Sequence, residues 1–293
     1  MWTHTARSET MGIVYAVCSL GFAGINDVVF RKYGQKTRPV GLLLACIGVI
    51  WTLFFLALGS FKHSFELDLG TFLIGSISGI FSALANILLI EGMKRTNASL
   101  ASTIYRLNLV FVALLAFIFL KETMGVLKLL GLFAAIVAVV VFSTSENKES
   151  SQRIAVKFIL ILLLASFLRA CMGISYKIAN TVGSNDEIFL ALNGFWWVIF
   201  GCGYTLWRER GIRLNRSTIK YALYSGVLVC GIVLFLKLAV NRMDASVAIS
   251  VSQFSFLVTA PLAAYFMNER ITRNKTIGMS LAALCIILFF MAR

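Results

Sequence analysis

The chain has 293 residues, 59% of them hydrophobic and only 14% charged, with a mean hydropathy of +0.87 and a formal net charge of +14. Soluble domains carry about 45–50% apolar and about 25% charged residues, so a soluble enzyme or binding domain is excluded. The basic excess lies scattered in short connections between apolar runs, which argues against nucleic acid as a partner and for the lipid bilayer.

Ten apolar runs follow one another, each near the roughly 20 residues a helix needs to cross a bilayer. They are Met11–Phe30, Val40–Gly59, Gly70–Met93, Asn97–Leu120, Met124–Thr144, Ile154–Ala179, Glu187–Trp207, Thr218–Val240, Asp244–Met267 and Lys275–Met291. The runs are continuous rather than alternating, so a β-barrel is not expected. Met1–Thr10 is short and polar, and the run after it is long enough to be a retained first helix rather than a cleaved signal. The linker from Ser143 to Arg153, rich in Ser, Glu and Lys, divides the chain into 1–147 and 148–293.

The division coincides with an internal repeat. Displaced by 147 positions, Ala98, Ser99 and Ala101 fall on Ala245, Ser246 and Ala248, while Ala116, Phe119, Glu122, Lys128, Gly131, Ala135 and Phe142 fall on Ala263, Phe266, Glu269, Lys275, Gly278, Ala282 and Phe289. Ser78-Gly79 falls on Ser225-Gly226, and Ser19 and Ala23 on Ser166 and Ala170. Leu44, Ala45, Gly48, Trp51 and Phe54 match Leu190, Ala191, Gly194, Trp197 and Phe200 at a displacement of 146. Five spans per half is an odd number, so the second half enters from the opposite face. The expectation is an all-α integral membrane protein of ten transmembrane helices, arranged as an inverted 5+5 repeat with its substrate site near the midplane.

Charge gives an orientation. Seventeen Lys and Arg residues fall on the side that holds Arg31, Lys94 and Arg208, against seven on the side that holds Lys62, Lys121 and Lys177. The positive-inside rule then puts both termini outside. Six cysteines lie within apolar runs without a close pair, and His4 and His63 are far apart, so neither a disulfide frame nor a metal site is expected.

The segment Glu91-Gly-Met-Lys-Arg-Thr-Asn-Ala-Ser, the helix after it and the turn Leu120-Lys-Glu122 resemble the drug/metabolite transporter superfamily, in its EamA-type ten-helix branch. So do Arg242-Met-Asp-Ala-Ser through Asn268-Glu269-Arg270, and Gly24-Ile-Asn26 with Arg31, although Ala23 stands where that family usually carries a bulky aromatic. The resemblance implies a secondary transporter in the cell (inner) membrane, often an exporter of metabolites, with an inverted five-plus-five repeat. It also implies cytoplasmic termini, contrary to the charge count.

A charge inside a bilayer costs about 2.5–3.5 kcal/mol on insertion scales and persists where it faces a cavity or a partner. Arg106 stands deepest, in the fourth run, with Tyr105 and Asn108 beside it, and its repeat mate is Gln253, next to Ser252. These polar strips are expected to wall a cavity in which Arg106 offers a planar fork to a carboxylate or phosphate, or else to pair internally. Arg169, Asn26, Asn86 and Trp197 are further cavity candidates. Arg31 and Lys177 are expected to snorkel to headgroups; Lys237 reads as a gate charge or an interfacial one. Asp27 and Glu91 are the acids well inside apolar runs, able to carry a proton or to pair with arginine, as Asp27 with Arg169 or Arg106. Glu122 and Glu269 are expected to cap the helix that follows each, and Pro261 to kink the ninth.

No nucleophile elbow, phosphate-binding loop, zinc spacing or dinucleotide fingerprint occurs. The sequence therefore reads as a non-enzyme without cofactor: a gradient-driven transporter of small polar solutes, anionic or zwitterionic, such as amino acids, acting as a monomer or homodimer. A proton-coupled exporter of organic cations using Asp27 or Glu91, and a non-transporting scaffold, are the alternatives.

Overall fold

The computed structural model describes residues 2–34, 38–63, 67–93, 104–144, 156–209, 215–267 and 271–291. Every regular element among them is helical. The helices are α1 (Trp2–Gly34), α2 (Val40–Phe61), α3 (Leu69–Met93), α4 (Ile104–Leu120, with a turn at Leu107), α5 (Val126–Thr144), α6 (Val156–Thr181), α7 (Asp186–Tyr204, continued as a π-helical turn to Glu209), α8 (Arg216–Val240), α9 (Ala245–Met267) and α10 (Arg273–Met291). Seven of these segments, in α1, α2, α3, α6, α7, α8 and α9, are long and apolar enough to cross a membrane. Large apolar side chains such as Leu53, Phe117, Phe119 and Phe133 are exposed, as a lipid-facing surface requires.

Two boundaries differ from expectation. The helix α1 begins at Trp2, so the polar start of the chain extends the first helix. Helix α9 is broken rather than continuous: Ala245–Ser252 and Phe256–Met267 are joined by a tighter 3-10 turn over Gln253–Ser255. The expected run over 97–103 and the expected cap at Glu269 lie outside the described residues.

The packing follows the repeat. Helix α2 packs mainly on its own mate α7 and α5 on its mate α10, while α4 packs on α6 and also meets its mate α9. Helix α1 packs on α8 and α3 on α6, two contacts that exchange when the halves are swapped; so do α3 on α7 and α2 on α8. At the α2–α7 crossing Gly41 faces Tyr204 and Thr205, Gly48 faces Gly194 and Trp197, and Gly194 faces Thr52, so the mates run antiparallel. Missing side chains allow this approach: a Cβ at Gly48 would lie 2.7 Å from the Gly194 carbonyl oxygen and from the Val198 nitrogen. The mates Trp51 and Trp197 meet edge to face at 5.4 Å beside it.

The helix ends are tied across the molecule. Glu209 accepts hydrogen bonds from the Val40 and Gly41 amides at 2.6 and 2.9 Å and so caps α2. Glu122 caps α9 rather than α5, accepting from the Ala245 and Ser246 amides at 2.7 and 3.3 Å and from Ser246 Oγ at 2.5 Å. Lys128 adds its ammonium to Glu122 at 3.2 Å and Asp244 at 2.8 Å. Lys177 does not snorkel; it donates to the carbonyls of Val240 and Met243 at 2.8 Å each, closing the end of α8. Lys237, only 1% exposed, meets the partly exposed Asp186 at 3.0 Å and the Tyr176 carbonyl at 2.9 Å, so its charge is compensated within the protein.

Substituting Gly48 with alanine is expected to separate α2 from α7 and to cost about 1–3 kcal/mol, the usual range for overpacking. Gly21→Ala, where nothing lies within 4 Å of the added carbon, is the control and should be neutral or stabilising. Thermal unfolding of the two purified variants in one detergent measures the contrast.

Candidate functional site

The break in α9 is where the polar chemistry gathers. Phe254 has φ −82° and ψ 24°, outside the helical range, so the regular helix is interrupted directly after Gln253. Arg106 Nη1 donates to that carbonyl, joining two repeat mates directly. The same nitrogen reaches Ser255 Oγ at 3.0 Å, and Nη2 reaches Asp27 Oδ2 at 3.2 Å. Ser255 Oγ in turn donates to Asp27 Oδ2 at 2.8 Å. The Thr259 hydroxyl lies 3.1 Å from Asp27 Oδ2 and 2.9 Å from the Ser255 carbonyl. The Phe256 ring lies beneath the guanidinium, 5.6 Å from its centroid.

Close approach of α1 makes this possible. A Cβ at Gly24 would fall 2.5 Å from Val258 Cβ and 2.7 Å from the Ser255 carbonyl oxygen. One turn later Asp27 points at α9. Ser255 and Thr259, four residues apart, lie on the same helical face and meet it together. The pair is partly accessible: the side chain of Arg106 is 19% exposed and that of Asp27 35%.

The other candidates divide into those near this centre and those away from it. Tyr105 is half-buried beside Arg106. Asn108 is fully buried with neither amide atom hydrogen-bonded, and buried Asn26 has an unpartnered Oδ1. Ser252 bonds back to the Ile249 carbonyl at 2.7 Å, outside the Asp27 network. Arg169 does not pair with Asp27; its described partner is the Met172 sulfur at 3.4 Å.

Asn86 and Trp197 sit elsewhere, between α2, α3 and α7. Trp197 Nε1 donates to Ser82 Oγ at 2.9 Å, and Asn86 Nδ2 to the Ser82 carbonyl at 2.8 Å. Glu91, at the end of α3, takes the Tyr204 hydroxyl at 2.6 Å and lies 3.6 Å from Arg208 Nε. Ser255 closes the polar strip that the sequence placed on the cavity wall, as the repeat mate of Asn108, whereas Thr259 and Phe256 were passed over. The signal for Thr259 was there: a hydroxyl four residues beyond Ser255 in an otherwise apolar run.

Asp27→Asn keeps the side-chain shape but leaves Arg106 without its counter-charge. The cost should fall below the about 3–5 kcal/mol of breaking a fully buried pair, because Asp27 is 35% exposed. Adding Arg106→Gln to Asp27→Asn should restore part of the lost stability, a coupling that a double-mutant thermal-unfolding cycle measures.

Comparison with known proteins adds the family. The EamA-like transporter family matches residues 10–144 and again 156–291. Comparison with curated proteins gives no match. Among solved structures, the crystal structure of one protein superposes with a TM-score of 0.79 at 11% identity, covering 98% of this chain and 99% of the other, a likeness of fold. With two family matches that together take in nearly the whole chain, one for each copy of the internal repeat, this protein belongs to the EamA-like transporter family.

Proposed function

We propose that the chain is a ten-helix secondary active transporter, an inverted repeat of residues 1–147 and 148–293, that exports small zwitterionic or anionic metabolites across the cell membrane. The exchange of contacts between repeat mates and the antiparallel crossing of α2 and α7 support the inverted arrangement. Family membership supports transport. The observation that carries the solute class is the Asp27–Arg106 pair at the α9 break.

A zwitterion such as an amino acid can replace that pair without changing the local charge. Its carboxylate takes the Arg106 fork, and its ammonium takes Asp27. No ion is stranded in a medium where each would cost about 2.5–3.5 kcal/mol. An organic cation instead draws Asp27 away and leaves Arg106 uncompensated. That asymmetry favours the zwitterion over the cation. Because Asp27, Arg106, Gln253 and Ser255 come from three helices and both halves, opening the pair loosens the contact between the halves. Rocking of one half against the other then exposes the site alternately.

Asp27 also suits coupling. A proton on Asp27 would remove the counter-charge of the solute ammonium, so proton and solute would compete for that carboxylate. Glu91 is less suited, since Tyr204 and Arg208 hold it at the end of α3.

Counterflow of a mixed metabolite pool into reconstituted vesicles is the test. Amino-acid-like zwitterions should accumulate, Arg106→Ala should abolish their flux, and collapse of the proton gradient should reduce it. Flux of organic cations that survives Arg106→Ala would establish the cation reading instead. Absence of flux for every solute would make the chain a scaffold.

A further inference from the structure

We infer that Arg169 is a second anion-recognition group in the Asp27–Arg106 site, so that the preferred solute carries a net negative charge rather than a balanced one. The inference rests on the transporter reading and narrows its solute class.

Three observations place Arg169 at the centre. First, α6 and α9 run antiparallel where they meet. Lys177 reaches the Met243 carbonyl just before α9, and four residues earlier in α6, Gly173 packs against Ile249, where a Cβ would fall 2.6 Å from Ile249 Cδ1. Continuing one turn in each direction brings Arg169 level with Gln253. Second, Arg169, Gly173 and Tyr176 recur at the spacing of a single helical face. That face is turned inward: Tyr176 and Met172 are 0% and 2% exposed. Third, the Tyr105 ring, next in sequence to Arg106, lies within electrostatic range of both guanidiniums. Both arginines are therefore placed at the level of the broken turn of α9.

Their compensation is unequal. Arg106 has Asp27, Lys128 has Glu122 and Asp244, and Lys237 has Asp186. Arg169 has no acid among the described residues, only a thioether sulfur, which is a weak acceptor. In the repeat the mate of Asp27 is Ile174, so the second half lacks the carboxylate that the first supplies. Polar groups wait nearby without partners: the Tyr176 hydroxyl on the same face of α6, and both amide atoms of Asn108, one turn along α4 from Tyr105. The site thus holds two guanidiniums against one carboxylate. A solute with one ammonium and two carboxylates completes it, the second carboxylate lying on Arg169.

Glutamate and glutamine test this, being equal in shape and different by one charge. The probe is the thermal protection of the full-length protein in detergent as each amino acid is titrated. Glutamate should bind the wild type roughly tenfold to a hundredfold more tightly than glutamine, the scale of one charge-assisted hydrogen-bonded contact. Arg169→Gln should erase the difference by weakening glutamate far more than glutamine, and Arg169→Lys should retain part of it. Equal protection by both amino acids in the wild type, or a glutamate preference that survives Arg169→Gln, overturns the inference while leaving the zwitterion reading intact. Loss of all protection in Asp27→Asn and Arg106→Gln confirms that both amino acids use the paired site. Protection by neither amino acid in the wild type overturns the inference and the zwitterion reading together.

Discussion

A guanidinium and a carboxylate in the middle of apolar helices are tolerable only beside each other, and the geometry of this protein is arranged to keep Arg106 and Asp27 so. Each comes from a different helix, and a third helix must break to complete their coordination. Gly24 brings α1 against α9, so that Asp27 can reach Ser255 and Thr259. The 3-10 turn at Gln253–Ser255 presents a carbonyl to Arg106. Irregular backbone inside a membrane is acceptable only where something polar satisfies it, and here the same cation satisfies both the carbonyl and the acid. The break, the glycine contact and the ion pair are therefore one feature.

The repeat made much of this readable in advance. An unbroken displacement identified Arg106 and Gln253 as mates, and they touch. Gly48 with Gly194, and Trp51 with Trp197, were matched in the same way and also meet. The choice of partner for Asp27 was less accessible. Arg106 and Arg169 are both mid-helix, and which one reaches Asp27 depends on the register of α1 against α9, set by Gly24 and Val258 rather than by any spacing within one helix. The kink was misplaced for a related reason. Pro261 removes one backbone donor, yet it lies in the helical stretch Phe256–Met267 on its exposed side. The ladder is interrupted where a side chain enters it, at Gln253. Glu122 was expected to cap the next helix in sequence. It caps α9 because the end of α4 and the start of α9 meet across the halves, a proximity that only the tertiary arrangement creates.

The two halves share a framework and differ in chemistry at the ends of the α2–α7 crossing and at the centre. Glu209 caps α2 through two amides at one end of the α2–α7 crossing, and at the other end Lys62, just past α2, bridges to Glu187 at 2.6 Å. The two ends of this crossing are thus tied differently, one by a carboxylate held on backbone amides and the other by an exposed ion pair. The first is anchored to groups that cannot rearrange, whereas the second joins a lysine 56% exposed to a glutamate and is weakened by solvent. The centre is unequal too: Asp27 and Arg106 answer to Ile174 and Gln253 in the other half. In the proposed carrier, the repeat would supply two arrangements of the bundle, and the substitutions that break it would supply the solute site.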